Sequence, residues 1–216
     1  MTIEHLFERA QIWRGGETPP SVRPGVPTGI AAFDALLPGG GWPRGTLSEI
    51  IAEEGQHALS LLMPVLAQQQ TQQNDSRWIA FVAPPYLPYA PALATHGLNL
   101  AQVLILRLHD NAEKLWALEQ CLHGGCAAVL AWFTQVPQQH LRRLQLAAES
   151  GDSIACLFYP TGTPDQSTPA ALRIAITAFD AKRFSIRVLK RRGGWPCGPI
   201  TVSLHAQESS AANNPS

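Results

Sequence analysis

Five short apolar runs, at residues 47–52, 78–83, 103–108, 127–133 and 154–159, alternate with segments that carry helical spacing. That alternation constrains the fold more than any other feature. Runs this short read as strands, and AAVLAWF (127–133) is apolar throughout, as a central parallel strand buried on both faces must be. Leu59, Leu62, Met63 and Leu66 give an apolar face to a helix over 57–70, and Leu115, Leu118 and Leu122 give one to a helix that follows Asp110. Asp110 with Glu113 forms a capping-box arrangement, and Gly124–Gly125 end that helix. Pro137 opens the next one, which stops at Gly151. Pro64 should kink the first helix or shift its start, since it lacks an amide proton. The order βαβαβαβαβ gives an α/β domain with helices on both faces.

Beyond residue 160 the period changes to two. Leu172, Ile174 and Ile176 alternate with Arg173, Ala175 and Thr177; Phe184, Ile186 and Val188 alternate with Ser185, Arg187 and Leu189. A turn around 180–183 makes these an antiparallel pair with one buried face. Residues 1–27 read as an N-terminal arm, helical over 3–13, with a Gly/Pro connector. Residues 28–205 read as one domain and 206–216 as a polar, disordered tail.

Composition narrows the functional classes. A chain of 216 residues can form one sizeable core. Lys plus Arg and Asp plus Glu both number 16, so global charge argues for neither nucleic acid nor membrane. No apolar run reaches about 18 residues and no basic-then-apolar leader is present, which predicts a cytoplasmic protein with no membrane partner. The four cysteines lack CxxC spacing, so reduced thiols are expected rather than a metal site.

Between residues 46 and 68 an apolar, β-prone segment (TLSEIIA) passes into a helical one (HALSLLMPVLAQ). A phosphate-binding loop at such a junction carries several glycines and a Lys-Ser/Thr pair. Here it reads EEGQHALS, with one glycine, no lysine and two carboxylates that would repel a triphosphate. Upstream, PTGIAAFDALLPGGGWPRGTLSEI resembles the entry to a RecA-type ATPase core at Thr28, Gly29, Asp34, Leu36, Gly39–Gly41, Pro43 and Gly45. STPAALRIAITAF and FSIRVLKRRGGWPCGPITVSL resemble the RecA hairpin and its basic turn. The fold this implies is a RecA-like core, a mostly parallel sheet flanked by helices, with a C-terminal antiparallel hairpin. LPGGGWPRG, VAPPYLPYAPAL, LRRLQLAAESG and RVLKRRGG are similar to ImuA, the RecA-like family of bacterial SOS mutagenesis cassettes. The SulA division inhibitors share the central part, including a Leu-rich helix with Pro inside it, and give the alternative.

The resemblance implies a protein without catalysis. Besides the phosphate-loop lysine, the water-activating Glu of RecA proteins is missing after the second strand, where Ala83-Pro84-Pro85 stands. No metal-associated Asp ends the 127–133 strand. Neither catalytic residues nor a cofactor or metal is therefore expected. The ImuA reading implies an adaptor in translesion synthesis. Its partners would be the ImuB-like relative of Y-family polymerases, an error-prone replicative-type polymerase reached indirectly, and RecA. The SulA alternative implies the tubulin-like protein FtsZ. Candidate contacts are the cations Arg173, Arg187, Lys190, Arg191 and Arg192, and the loop aromatics Trp42, Tyr86 and Tyr89. A charged sheet edge is the alternative reading of the cations. Direct DNA binding is expected to be weak or absent, because TQVPQQ (134–139) and PTGTPDQSTP (160–169) contain no Lys or Arg to neutralise phosphates.

Overall fold

The structure, a computed structural model, describes residues 23–53, 56–71, 77–163, 167–178 and 183–203. The helix expected over 3–13, most of the connector, most of the 180–183 turn and the tail lie outside the described residues. Eight strands form one sheet: β1 (Thr46–Ala52), β2 (Ile79–Val82), β3 (Val103–Leu106), β4 (Ala128–Trp132), β5 (Ile154–Tyr159), β6 (Leu172–Ala178), β7 (Arg183–Arg191) and β8 (Cys197–Ser203). Their order is β3-β2-β4-β5-β1-β6-β7-β8. Every neighbouring pair from β3 to β6 is parallel. The pairs β6–β7 and β7–β8 are antiparallel. The described residues also form five α-helices: α1 (Ala31–Asp34), α2 (Gln56–Thr71), α3 (Ala90–Thr95), α4 (Asn111–His123) and α5 (Gln138–Gly151).

The expected RecA-like core with a C-terminal hairpin is corrected. The sheet is a mixed one of eight strands, and the region beyond residue 170 is a three-stranded meander whose last strand, β8, the sequence pattern did not announce. Its CGPITVS run holds a Gly-Pro and only weak alternation, which hides a strand from a period-two reading. The passage from β1 toward α2 shows no phosphate loop among the described residues: Ala52 is followed by an exposed Glu53. Helix α2 also continues through Pro64 rather than starting after it.

Strand alternation divides the core in two. On β1, Ile50 and Ala52 join Leu61, Leu62, Val65 and Leu66 of α2 on one face. Leu47 and Ile51 join Leu118 and Leu122 of α4 and Leu141 and Leu144 of α5 on the other. Each fully buried side chain of this size contributes roughly 1.5–3 kcal/mol of transfer free energy, which makes these two layers the main source of stability.

Helix ends fix how α4 and α5 meet the sheet. Asp110 Oδ1 accepts from the amides of Ala112 (2.8 Å) and Glu113 (3.1 Å), capping α4. At its other end Cys126 N donates to Cys121 O and Gly125 N to Leu122 O, with Gly125 left-handed at φ 72°. This pair of bonds forms a Schellman cap. The end of α5 differs from expectation: Gly151 is its last helical residue, and Asp152 takes the left-handed position (φ 46°). Gly151 is needed for another reason, because a Cβ there would lie 2.0 Å from the Leu122 carbonyl oxygen. Arg77 ties the two helix ends together, donating to the carbonyls of Gly125 (2.6 Å), Cys126 (3.1 Å) and Gly151. Helix propensity alone favours Ala over Gly by about 1 kcal/mol. We expect Gly151→Ala nevertheless to destabilise the protein by about 1–3 kcal/mol, the scale of a core overpacking. Urea unfolding checks this, and an unchanged or raised midpoint would contradict the close helix–helix approach.

Candidate functional site

The carboxyl ends of β1, β2, β4 and β5 gather at one edge of the sheet, the place where open α/β sheets present their sites. Ala83 leaves β2 in the left-handed region (φ 50°), and its amide donates to Leu106 O at 2.7 Å. The following loop is braced by Pro84, Pro85 and Pro88. It holds Tyr86, Leu87 and Tyr89 outward, 54%, 67% and 72% exposed. Large apolar side chains clustered outward on a stiff loop suit a protein contact, since little entropy is lost on docking.

Behind this loop lies a cavity of about 340 Å³, lined in part by Ala52, Lys114, Trp132, Phe158 and Tyr159. Trp132 stacks on Phe158, with ring centroids 4.6 Å apart and planes within 8°. On its other side Phe81 lies at 6.3 Å. Both Trp132 Nε1 and the Tyr159 hydroxyl are buried without a hydrogen-bond partner. Burial pushes the Tyr159 phenol above its ordinary pKa; the Glu49 carboxylate adds to this and the Arg173 guanidinium opposes it. A phenol raised in the folded state contributes nothing adverse below pH ~10, and stability is lost as the unfolded chain ionises above it. Tyr159→Phe should therefore stabilise the protein by about 1 kcal/mol at neutral pH, by removing an unmet hydroxyl. It should also blunt the loss of stability above pH ~10, which urea unfolding at both pH values measures.

Next to the cavity a charged row crosses three strands. Glu49 of β1 stands opposite Arg173 of β6, which stands opposite Lys190 of β7. Glu49 and Arg173 are 1% and 2% exposed, with Oε2 and Nε 3.7 Å apart. Thr168 Oγ1 donates to Glu49 Oε1 at 3.0 Å, and Lys190 Nζ donates to Thr168 O. Burial lowers the Lys190 pKa, the Glu49 charge raises it, and Arg192 and Arg173 lower it further.

This arrangement divides the sequence-derived contact residues. Tyr86 and Tyr89 are exposed beside each other on the loop. Trp42 is corrected: it is fully buried, because a two-way backbone bridge with Val26 (2.8 and 2.6 Å) draws its loop onto the core. There it meets Phe33 edge-on at 6.2 Å. The bridge demands glycine at Gly25, where a Cβ would lie 2.3 Å from the Gly41 carbonyl. Arg173 is corrected too, since it is spent on Glu49 inside the sheet. Arg191 donates to Leu36 O and Trp195 O, both at 3.0 Å, and Lys190 turns to Thr168. Arg187 and Arg192 are exposed, while Lys190 and Arg191 are half-buried. Leu87 went unrecognised, although its position between two tyrosines in a proline-rich loop is the signal that marks it.

All four cysteines are free thiols; Cys126 and Cys156 are buried, and burial pushes Cys156 up to about 12. Among the described residues no group of three or more His, Cys, Asp or Glu is placed to hold a metal ion. No helix there is long and apolar enough to cross a membrane.

The family model for the cell division inhibitor SulA matches residues 45–155, from the start of β1 into β5. The chain belongs to the SulA cell division inhibitor family. The SulA of Edwardsiella piscicida is 33% identical over 117 residues, covering 54% of this chain and 68% of that protein. The SulA of Pseudomonas aeruginosa is 31% identical over 98 residues, 45% of this chain and 60% of that protein. The crystal structure of the Pseudomonas aeruginosa SulA superposes with a TM-score of 0.44 at 28% identity, over 53% of this chain and 97% of that one. Family membership overturns the ImuA assignment, and with it the translesion-synthesis role and the ImuB-like, polymerase and RecA partners. The misassignment has a traceable cause. The features that favour ImuA over SulA are the entry loop and the basic C-terminal strands, and both lie outside the stretch matched by the SulA family model.

Proposed function

We propose that this chain is a non-enzymatic, cytoplasmic division inhibitor of the SOS response that acts by binding FtsZ. Membership of the SulA family over 45–155 carries this reading. Within that stretch the Tyr86–Leu87–Tyr89 loop is the contact surface, the densest group of outward-facing large apolar side chains there. The absence from the sequence of a phosphate-loop lysine, an activating Glu and a metal-associated Asp supports action by contact rather than nucleotide turnover. Arg187 and Arg192 remain secondary candidates, since β7 lies beyond the shared stretch.

Controlled expression of the full chain in rod-shaped bacteria tests the proposal. Cells should stop dividing and grow into filaments with DNA replication unimpaired, and extra FtsZ should restore division. Normal division at high expression would refute it.

A further inference from the structure

We propose that Cys121 and Cys126, brought together by the cap that ends α4, form a modification site at which hydrogen peroxide closes a reversible intrachain disulfide. Backbone and packing both place the thiols. Cys126 N donates to Cys121 O at 3.1 Å, the outer bond of the Schellman cap, and such a cap sets the side chains of its two outer residues against each other. Standard bond lengths then keep the two α-carbons within about 7 Å, and bridged cysteines have theirs about 4.4–6.8 Å apart. Cys126 belongs to the apolar cluster beneath α4 and α5, and Cys121 packs on that same cluster. The segment between them ends in Gly124 and Gly125. A Cβ on Gly125 would meet nothing within 4 Å, so the turn is open at that point.

The two thiols differ as an attacking and a resolving thiol must. Cys121 is half-buried, whereas Cys126 is only 9% exposed. A hydrogen bond from the Cys126 thiol lowers the Cys121 pKa against the opposing effect of burial, and the same bond raises Cys126. The thiolate is the nucleophile, so Cys121 reacts first. It attacks one peroxide oxygen; the O–O bond breaks, Cys121 becomes a sulfenic acid, and the released hydroxide takes up a proton. The Cys121 charge is then gone. Arg77, which donates to Cys126 O at 3.1 Å, favours ionisation of the second thiol. The Cys126 sulfur displaces the hydroxyl from Cys121, the S–S bond forms, and the oxygen leaves as water with the Cys126 proton. Two thiols lose two electrons and one peroxide is reduced to two waters. Cys156 offers no rival, since it is fully buried. The site precedes β4, at the end of the parallel strands opposite the Tyr86–Tyr89 loop, so the inference stands whether or not that loop binds FtsZ.

The test treats the folded full chain with one equivalent of hydrogen peroxide at neutral pH, then unfolds it in urea with iodoacetamide. Tryptic cleavage leaves both cysteines on one peptide, 115–142. We expect that peptide unalkylated and lighter by the mass of two hydrogens, with both thiols restored by dithiothreitol. In Cys126→Ser the Cys121 sulfenic acid should persist and be trapped by dimedone. Before oxidation, Cys121 in the folded chain should alkylate faster than Cys197, the other half-buried cysteine. Three results would overturn the proposal: a fully alkylated 115–142 peptide, a sulfinic acid on Cys121 with Cys126 still alkylated, or undiminished peroxide consumption by Cys121→Ser.

Discussion

Replacing Glu49 with alanine should cost this fold about 3–5 kcal/mol, the scale of breaking a buried ion pair by removing one side of it. Arg173 is 2% exposed and faces Glu49 directly across the β1–β6 ladder, with Lys190 next in the row. Removing the carboxylate would leave two cations together at the edge of the core, and Thr168 would lose its acceptor. Against a total stability of about 5–15 kcal/mol such a loss is severe. The paired replacement Glu49→Leu with Arg173→Leu should recover most of it, because a well-packed apolar pair is often as stable as a buried ion pair. Urea unfolding of the two variants decides the matter. A Glu49→Ala midpoint near that of the parent would mean that the row is solvated and stabilises little.

Changing Tyr86, Leu87 and Tyr89 together to alanine should weaken FtsZ binding by at least about thirtyfold, or 2 kcal/mol, the scale of an interface hot spot. All three are more than half exposed, so the fold should survive, and an unchanged unfolding midpoint is part of the test. Arg187→Glu with Arg192→Glu supplies the contrast, because β7 lies beyond the stretch shared with SulA. Full binding by the loop variant, with binding lost in the charge variant, would move the contact to the basic strand.

The strand–helix alternation was legible because burial writes it directly into the chain: β2, β4 and β5 are buried at every position or nearly so, and their sequences are unbroken apolar runs. Asp110 announced its cap by chemistry that is local. What failed was long-range. Trp42 reads as a loop aromatic until its bridge to Val26, sixteen residues earlier, folds it inward. Arg173 reads as part of a basic cluster until the β1–β6 register sets Glu49 opposite it, more than a hundred residues away in sequence. Trp132 and Tyr159, at the ends of apolar strands, read as core and pack there, on opposite faces of the sheet. Pairing register, rather than composition, decides which polar groups are consumed and which are left over.

The most direct measurement is assembly of purified FtsZ with GTP, followed by light scattering and sedimentation while the full chain is added. The account predicts that the critical concentration for assembly rises in proportion to the inhibitor, that the two proteins co-elute, and that the Tyr86/Leu87/Tyr89 variant does neither. Undiminished FtsZ assembly at a several-fold molar excess of folded protein would contradict it.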